Sequence, residues 1–122
     1  MTRALVVDDN LSLAEDLAEI LASEGYEVLL FDDPQAALRQ SDALTFDFAL
    51  LDMRMPGLDG VTLQQKLAEQ HPEARFALMT AYTEDAHIAE ALAGGVRRVL
   101  TKPVKVAELL RTAAELARGE HA

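Results

Sequence analysis

The fold is decided by residues 48–60, which read FALLDMRMPGLDG. The apolar run at 48–51 is too short for most helices, and it ends in the carboxylate of Asp52 before Pro and Gly break the chain into a loop. A short apolar run that is followed by Pro and Gly predicts a buried β-strand. Open α/β sheets bind ligands outside the carboxyl ends of their strands, and this makes Asp52 the candidate reacting group.

The rest of the chain repeats the same order, a short apolar run followed by a helical pattern. Strands are predicted at residues 4–7, 26–31, 48–51, 76–79 and 98–100. Helices are predicted over residues 10–25, around 37–38, and over 61–71, 85–93 and 106–118. Strand–helix alternation repeated five times predicts an α/β domain with a parallel sheet, helices on both faces and right-handed crossovers.

Helix ends carry local signals. Asp9 or Asn10 is expected to cap the first helix, Asp33 the second and Thr83 the fourth, because such side chains accept hydrogen bonds from free N–H groups. The glycines at 94–95 are expected to end the fourth helix.

Composition sets the class of protein. The chain has 122 residues, half of them hydrophobic, no cysteine and a formal net charge of -10. The absence of cysteine excludes disulfides and thiolate metal sites. The negative charge argues against direct contact with nucleic acid or an anionic membrane surface, and no apolar stretch approaches the ~20 residues that span a bilayer. We therefore expect one cytoplasmic domain over residues 1–122, frayed at about 119–122.

Polar side chains follow four of the predicted strands. Asp8 and Asp9 follow the first, Asp52 the third, Thr80 the fourth and Lys102 the fifth. The carboxyl ends of parallel strands meet at one edge, so these groups can converge. Clustered carboxylates repel one another, and an oxygen-only cluster suits Mg²⁺. A lysine and a hydroxyl beside a carboxylate nucleophile favour phosphoryl chemistry.

These motifs resemble those of response-regulator receiver domains of bacterial two-component signalling, over residues 3–118. The resemblance lies in VVDD at 6–9, LLDMRMPGLDG at 50–60, TAY at 80–82 and TKP at 101–103. Each motif is common by itself, but four of them in order at the predicted strand ends are specific. The resemblance implies a flavodoxin-like doubly wound (βα)5 sandwich with strand order 2-1-3-4-5.

The resemblance also implies roles for the site. Asp52 would accept a phosphoryl group from the phosphohistidine of a sensor histidine kinase or phosphotransfer protein. Asp9 would bind Mg²⁺ directly and Asp8 through water, with Asp52 and the backbone carbonyl of Arg54 as further ligands.

Thr80 and Lys102 would bind the phosphoryl oxygens, and the peptide bond between Lys102 and Pro103 would be cis. Phosphorylation would then change the conformation and control an output, transcription being one candidate. Catalysis would be limited to self-phosphorylation and autodephosphorylation.

One position departs from the family. Three residues before the lysine, where the family usually has Tyr or Phe, this chain has Val99. We therefore expect Thr80, Ala81 and the loop that follows to carry the conformational change, with Tyr82 as a substitute ring. The face formed by the fourth helix, fifth strand and fifth helix would present a surface for a homodimer or a partner.

Two other functions use the same residue types. A haloacid-dehalogenase-type phosphohydrolase also has a strand-end Asp, but it usually carries a second Asp where Arg54 stands, and this chain has no room for a cap domain. A pseudo-receiver that only docks partners would not need all five polar residues at the strand ends, which are Asp8, Asp9, Asp52, Thr80 and Lys102.

Asp59 is assigned to the turn with Gly60 rather than to the metal. The histidines at 71, 87 and 121 are expected to face solvent and to bind nothing.

Overall fold

Five parallel strands form one sheet in the computed structural model, which describes residues 1–81 and 87–119. The strands are β1 (Arg3–Val7), β2 (Glu27–Phe31), β3 (Phe48–Asp52), β4 (Arg75–Thr80) and β5 (Arg98–Thr101). Their order is β2-β1-β3-β4-β5. The α/β class, the parallel sheet and the order 2-1-3-4-5 are confirmed.

Helices follow the strands throughout the described residues. They are α1 (Leu11–Ser23), α2 (Pro34–Gln40), α3 (Gly60–Gln70), α4 (His87–Ala93) and α5 (Val106–Arg118). A short 3₁₀ helix at Ser41–Ala43 was not predicted from the sequence. None of the described helices has the length and apolar character needed to cross a membrane.

The predicted caps are seen wherever the chain is described. The side chain of Asn10 accepts the Leu13 N–H at the start of α1, and that of Asp33 accepts the Gln35 N–H at the start of α2. Asp59 caps α3 by accepting the Thr62 N–H at 2.8 Å; the sequence predicted only a turn with Gly60 for this residue. Thr83, the predicted cap of α4, lies outside the described residues.

Alternate residues of the central strands enter two separate cores. One core lies under α2, α3 and α4, the other under α1 and α5. The first takes Leu5, Val7, Ala49, Leu51, Phe76 and Leu78 from the strands, and the second takes Ala4, Val6, Phe48, Leu50, Ala77 and Met79. Because both faces are covered, all five residues of β3 are buried, including the Asp52 at its end.

The expectation that His71 faces solvent is wrong. Its ring is half-buried, with Nε2 2.9 Å from the Ser41 carbonyl oxygen and the ring centroid 4.5 Å from that of Phe46. The unpredicted 3₁₀ helix places the Ser41 carbonyl over the end of α3, and this explains the difference. His87 is exposed as expected, and the histidine at 121 lies outside the described residues.

The described residues end at Gly119. This residue adopts a left-handed conformation with φ +73° and caps α5. The rest of the predicted frayed tail, residues 120–122, lies outside the described part.

Candidate functional site

The strand register brings the predicted polar side chains to one edge of the sheet. Val7 of β1 lies beside Leu51 of β3, so that Asp8 and Asp52 come next along neighbouring strands. Thr80 of β4 pairs with Thr101 of β5, directly before Lys102. The convergence expected from strand order is therefore observed.

A buried ionic cluster forms the centre of this edge. The Lys102 ammonium donates to Asp8 Oδ2 at 2.9 Å and lies 3.2 Å from Asp52 Oδ1. Asp8 is completely buried and Asp52 is 5% exposed. The other Asp8 oxygen accepts the Asn10 N–H at 2.9 Å, which ties the acidic pair to the start of α1. The pairing of Lys102 with two carboxylates at once was not foreseen.

The carboxylates of Asp8, Asp9 and Asp52 also fit a metal ion. One oxygen of each lies within 4.8 Å of the others, and Asp9 is exposed to solvent. The donors are all hard carboxylate oxygens, which Mg²⁺ prefers over softer ligands. The backbone N–H of Arg54 donates to Asp52 Oδ1 at 3.4 Å, and this contact holds the following loop close to the cluster.

Burial changes the ionisation of the site. Burial first, and then the neighbouring Asp8 carboxylate, raises the pKa of Asp52 to about 7, although Lys102 acts in the opposite direction. For Lys102, burial by itself lowers the pKa. Its hydrogen bond to Asp8 and the charge of Asp52 outweigh that effect, and the pKa of Lys102 lies above its ordinary value. The cluster therefore attracts positive charge.

A cavity of about 270 Å³ opens beside the cluster. It is lined by Asp52, Arg54, Thr80, Ala81 and Lys102. Thr80 is 2% exposed, whereas Ala81 is exposed to solvent. The Lys102 backbone N–H donates to the Thr80 carbonyl at 2.8 Å, so the ends of β4 and β5 are fixed relative to each other.

The Lys102–Pro103 peptide bond is cis, as the sequence resemblance implied.

Gly60 is a site residue that the sequence reasoning missed. A Cβ atom at this position would collide with the Asp52 carbonyl oxygen and lie 2.9 Å from the Met53 Cα. The Gly60 N–H donates to the Met53 carbonyl at 2.9 Å. A glycine at the first position of α3 thus lets the helix start directly against the end of β3. A glycine just after the cap of a helix that follows a strand-end Asp is the signal that could have found it.

Val99 lies away from the ionic cluster. It pairs with Leu78 in the sheet and is partly buried against the same core as Ile88 of α4. An aliphatic side chain therefore occupies the place of the aromatic ring that the family usually has. Tyr82, the predicted substitute ring, lies outside the described residues.

Together the fold and the site define a flavodoxin-like α/β domain with an acidic, cation-attracting edge. The response regulator receiver domain family is matched over residues 4–114, and the chain belongs to that family. Receiver domains are signalling switches of two-component systems and generally bind Mg²⁺ in an acidic pocket of this kind.

Individual relatives agree with this assignment. A response regulator receiver protein of Anaeromyxobacter sp. is 41% identical over 110 residues, covering 90% of this chain and 46% of that protein. The transcriptional regulatory protein FixJ of Bradyrhizobium diazoefficiens is 36% identical over 98 residues, covering 80% and 48%. The chain spans about half the length of these curated relatives.

Solved structures agree with the fold. A CheY-like response regulator receiver domain protein from Methanospirillum hungatei superposes with a TM-score of 0.92 at 27% identity, covering 98% of this chain and 95% of that one. The chemotaxis protein CheY4 of Vibrio cholerae gives a TM-score of 0.87 at 27% identity, covering 95% and 98%.

Proposed function

We propose that the chain is a phosphorylation-activated switch in which Asp52 accepts a phosphoryl group from the phosphohistidine of a sensor histidine kinase or phosphotransfer protein. One observation carries the proposal. The Asp52 carboxylate lies 3.2 Å from the Lys102 ammonium, at a cavity that Thr80 also lines. Nucleophile, positive charge and hydroxyl therefore surround one space that is open to a donor.

The transfer needs little from the chain beyond positioning and charge. An Asp52 oxygen bonds to phosphorus while the phosphorus–nitrogen bond of the donor breaks, and the electron pair of that bond stays on the histidine nitrogen. The Lys102 ammonium offsets charge on the transferred oxygens, and the Thr80 hydroxyl donates a hydrogen bond to one of them. The product is an aspartyl phosphate at the end of β3.

The acidic cluster supplies the ligands for Mg²⁺ in this proposal. Asp9 would bind it directly, Asp8 through water, and Asp52 and the Arg54 carbonyl would complete the protein ligands. The ion adds positive charge that stabilises the transferred phosphoryl oxygens. Asp8 already accepts hydrogen bonds from Lys102 and from the Asn10 N–H, and this supports an indirect role for Asp8.

The signal would leave the site through β4 and α4. Thr80 would follow the phosphoryl group, and α4 would move with it, because Val99 is too small and too stiff at χ1 to act as a swinging ring. The loop at 81–85, which we also expect to move, lies beyond Ala81 outside the described residues. The face of α4, β5 and α5 would then bind a second copy of the chain or a downstream partner.

The output belongs to the whole protein. Transcription is the candidate, since FixJ is a transcriptional regulatory protein and MtrA of Mycolicibacterium smegmatis, 34% identical over 119 residues, is a DNA-binding response regulator. The net charge of -10 argues against direct contact between this domain and nucleic acid. A cytoplasmic domain of this kind would act on transcription through another part of the protein or through a partner.

A phosphorylation assay tests the proposal. The purified chain is incubated with a small phosphodonor and Mg²⁺, and the phosphoryl content is measured by intact mass. The wild type should take up one acid-stable, base-labile group, and Asp52→Asn should take up none. Asp59→Asn is the matched control, because it changes an exposed Asp of the same loop to a residue that still caps α3. Uptake by Asp52→Asn at the wild-type rate would refute the assignment.

A further inference from the structure

The buried side chain of Gln64 is poorly satisfied. Gln64 lies on α3 and is 2% exposed. Within residues 1–81 and 87–119, its Oε1 is the buried side-chain oxygen or nitrogen that has no hydrogen-bond partner. Its Nε2 donates to the Gly94 carbonyl at 3.4 Å, which is long for a hydrogen bond. Native proteins seldom leave a buried amide in this state, and such a group calls for an explanation.

The amide faces the turn that ends α4. A Cβ atom added to Gly94 would lie 3.8 Å from Gln64 Oε1, so the unpaired oxygen is close to this backbone. The turn contains one N–H group that is shared between two carbonyls and one that makes a long hydrogen bond. Gly94 shares its N–H between the Glu90 and Ala91 carbonyls at 2.9 and 3.1 Å, and Gly95 donates to the Leu92 carbonyl at 3.3 Å. Donors for the unpaired oxygen are therefore available after a small shift of the backbone.

The described part of α4 is weakly anchored. Of its residues His87–Ala93, Ala91 is buried, Ile88 is partly buried against the core, and Leu92 is 48% exposed. By contrast α5 buries Leu109, Thr112, Ala113 and Leu116. A helix held by so little apolar area opens or shifts at a lower free-energy cost than the rest of the fold.

We propose that Gln64 is a hydrogen-bond latch that gives α4 two positions of similar free energy. In the position seen here the amide holds the Gly94 carbonyl by a long bond and its oxygen stays unpaired. In the second position the turn at 94–95 shifts and Gln64 Oε1 accepts one of its N–H groups. The two positions are inferred from the contacts between Gln64 and the turn at 94–95, and their selection by phosphorylation rests on the proposed function.

NMR relaxation dispersion on the unphosphorylated chain tests the latch. Exchange between two positions of a helix falls in the μs–ms range that this method detects. The wild type should show dispersion at the amides of residues 91–96. Gln64→Met removes both polar atoms at similar volume. In the first position it loses the long bond from Nε2 together with the unpaired oxygen, and in the second position it loses the new bond to the turn. Its dispersion should disappear, and Gln64→Leu should behave in the same way if the Met variant folds poorly.

The neighbouring Gln65 provides the matched control. It lies on the same helix but is exposed, so Gln65→Met should keep the wild-type dispersion. Flat profiles at residues 91–96 of the wild type, as expected if bound water simply satisfies the oxygen, would overturn the proposal. Dispersion that persists unchanged in Gln64→Met would overturn it as well.

A second measurement connects the latch to the site. Titration with beryllofluoride, a phosphoryl mimic, should shift the resonances of residues 91–96 in the wild type and in Gln65→Met. Gln64→Met should need about tenfold more of the mimic if the mimic selects the second position, since the bond to Oε1 lost there is stronger than the long Nε2 bond lost in the first. An unchanged midpoint would contradict the coupling. Because the dispersion experiment uses no phosphodonor, its result stands whether or not Asp52 is phosphorylated.

Discussion

The two ends of the parallel strands differ in how their charged side chains are paired and buried. At the edge where the strands begin, charged groups are paired in solvent. Arg3 contacts Glu27 at 3.2 Å and donates to Thr45 Oγ1 at 2.8 Å, and its backbone N–H donates to Asp47 at 2.8 Å. The side chains of Arg3 and Glu27 are 40% and 43% exposed. Exposed pairs of this kind contribute little to stability, and their charges are already neutralised by each other.

At the edge where the strands end, one ammonium faces an excess of carboxylate. Lys102 contacts Asp8 and Asp52, both buried, and Asp9 stands beside them. Folding has brought the buried carboxylates of Asp8 and Asp52 close together, where their repulsion is poorly screened, and a bound cation would reduce that repulsion. A functional site is therefore marked by an excess of buried charge of one sign, and not by the number of its ion pairs.

The largest effect should come from removing the ammonium. Lys102→Met leaves the buried Asp8 without its counter-charge, and we expect a loss of about 3–5 kcal/mol in the free energy of unfolding without divalent cations. Urea denaturation at pH 7 measures it. Lys105→Met, an exposed lysine of the same loop, is the control and should change stability by less than about 0.5 kcal/mol. Equal stability of the two variants would show that the cluster is not strained by charge.

Neutralising Asp52 should increase the free energy of unfolding, by an amount that depends on pH. Its pKa rises from 3.8 to about 7 on folding, so the native state holds this proton more tightly than the unfolded state does. The protonated carboxyl favours folding, and this stability is lost as pH rises toward and through 7.

Asp52→Asn removes that loss. Without Mg²⁺ it should be more stable than the wild type by up to about 4 kcal/mol at pH 8, and the difference should fall below about 1 kcal/mol near pH 4. Thermal or urea unfolding across this range measures it. A gain that is the same at both pH values would contradict the raised pKa.

Binding of Mg²⁺ to the carboxylates should stabilise the native state by less than the changes at Lys102 and Asp52 alter it. An ion that binds only the native state stabilises it by mass action, by about 1–2 kcal/mol at roughly tenfold its dissociation constant. Asp9→Asn should be at least as stable as the wild type without the ion and should not respond to it. Asp42→Asn, an exposed acid of the 3₁₀ helix, should respond like the wild type. A melting temperature of Asp9→Asn that still rises with Mg²⁺ would rule out this site.

The smallest effect is expected at the opposite edge. Glu27→Gln breaks the exposed contact with Arg3 and should cost less than about 1 kcal/mol, and less still at high salt. Urea unfolding at two ionic strengths measures it. A loss as large as that of Lys102→Met would show that the two edges do not differ as proposed.

Local signals predicted most of the fold. The caps Asn10 and Asp33 and the end of α4 before Gly94 were correct because each depends on a few neighbouring residues. Each strand and helix was likewise recognised from its own residues, and their alternation predicted a parallel sheet. The order of the strands came only from the family resemblance, since periodicity does not say which strands lie side by side.

The burial and hydrogen-bond partners of single side chains could not be predicted from the sequence. His71 was assigned to solvent because the 3₁₀ helix that supplies its partner Ser41 gives no periodic signal. Gln64 reads as an ordinary polar residue of α3, and its burial against Gly94 depends on how α4 packs. The convergence of Lys102 with the strand-end acids was predicted, but its closer pairing with Asp8 is a matter of tertiary geometry.

Locating the phosphoryl group on the chain tests the central claim most directly. An acyl phosphate is reduced by borohydride to an alcohol, so the wild type treated with phosphodonor and Mg²⁺ and then reduced should carry homoserine at position 52. Peptide mass spectrometry reads this change residue by residue. We predict reduction at Asp52, with Asp8, Asp9 and Asp59 intact in the same sample. Reduction at any other acidic residue, with Asp52 unchanged, would contradict the account.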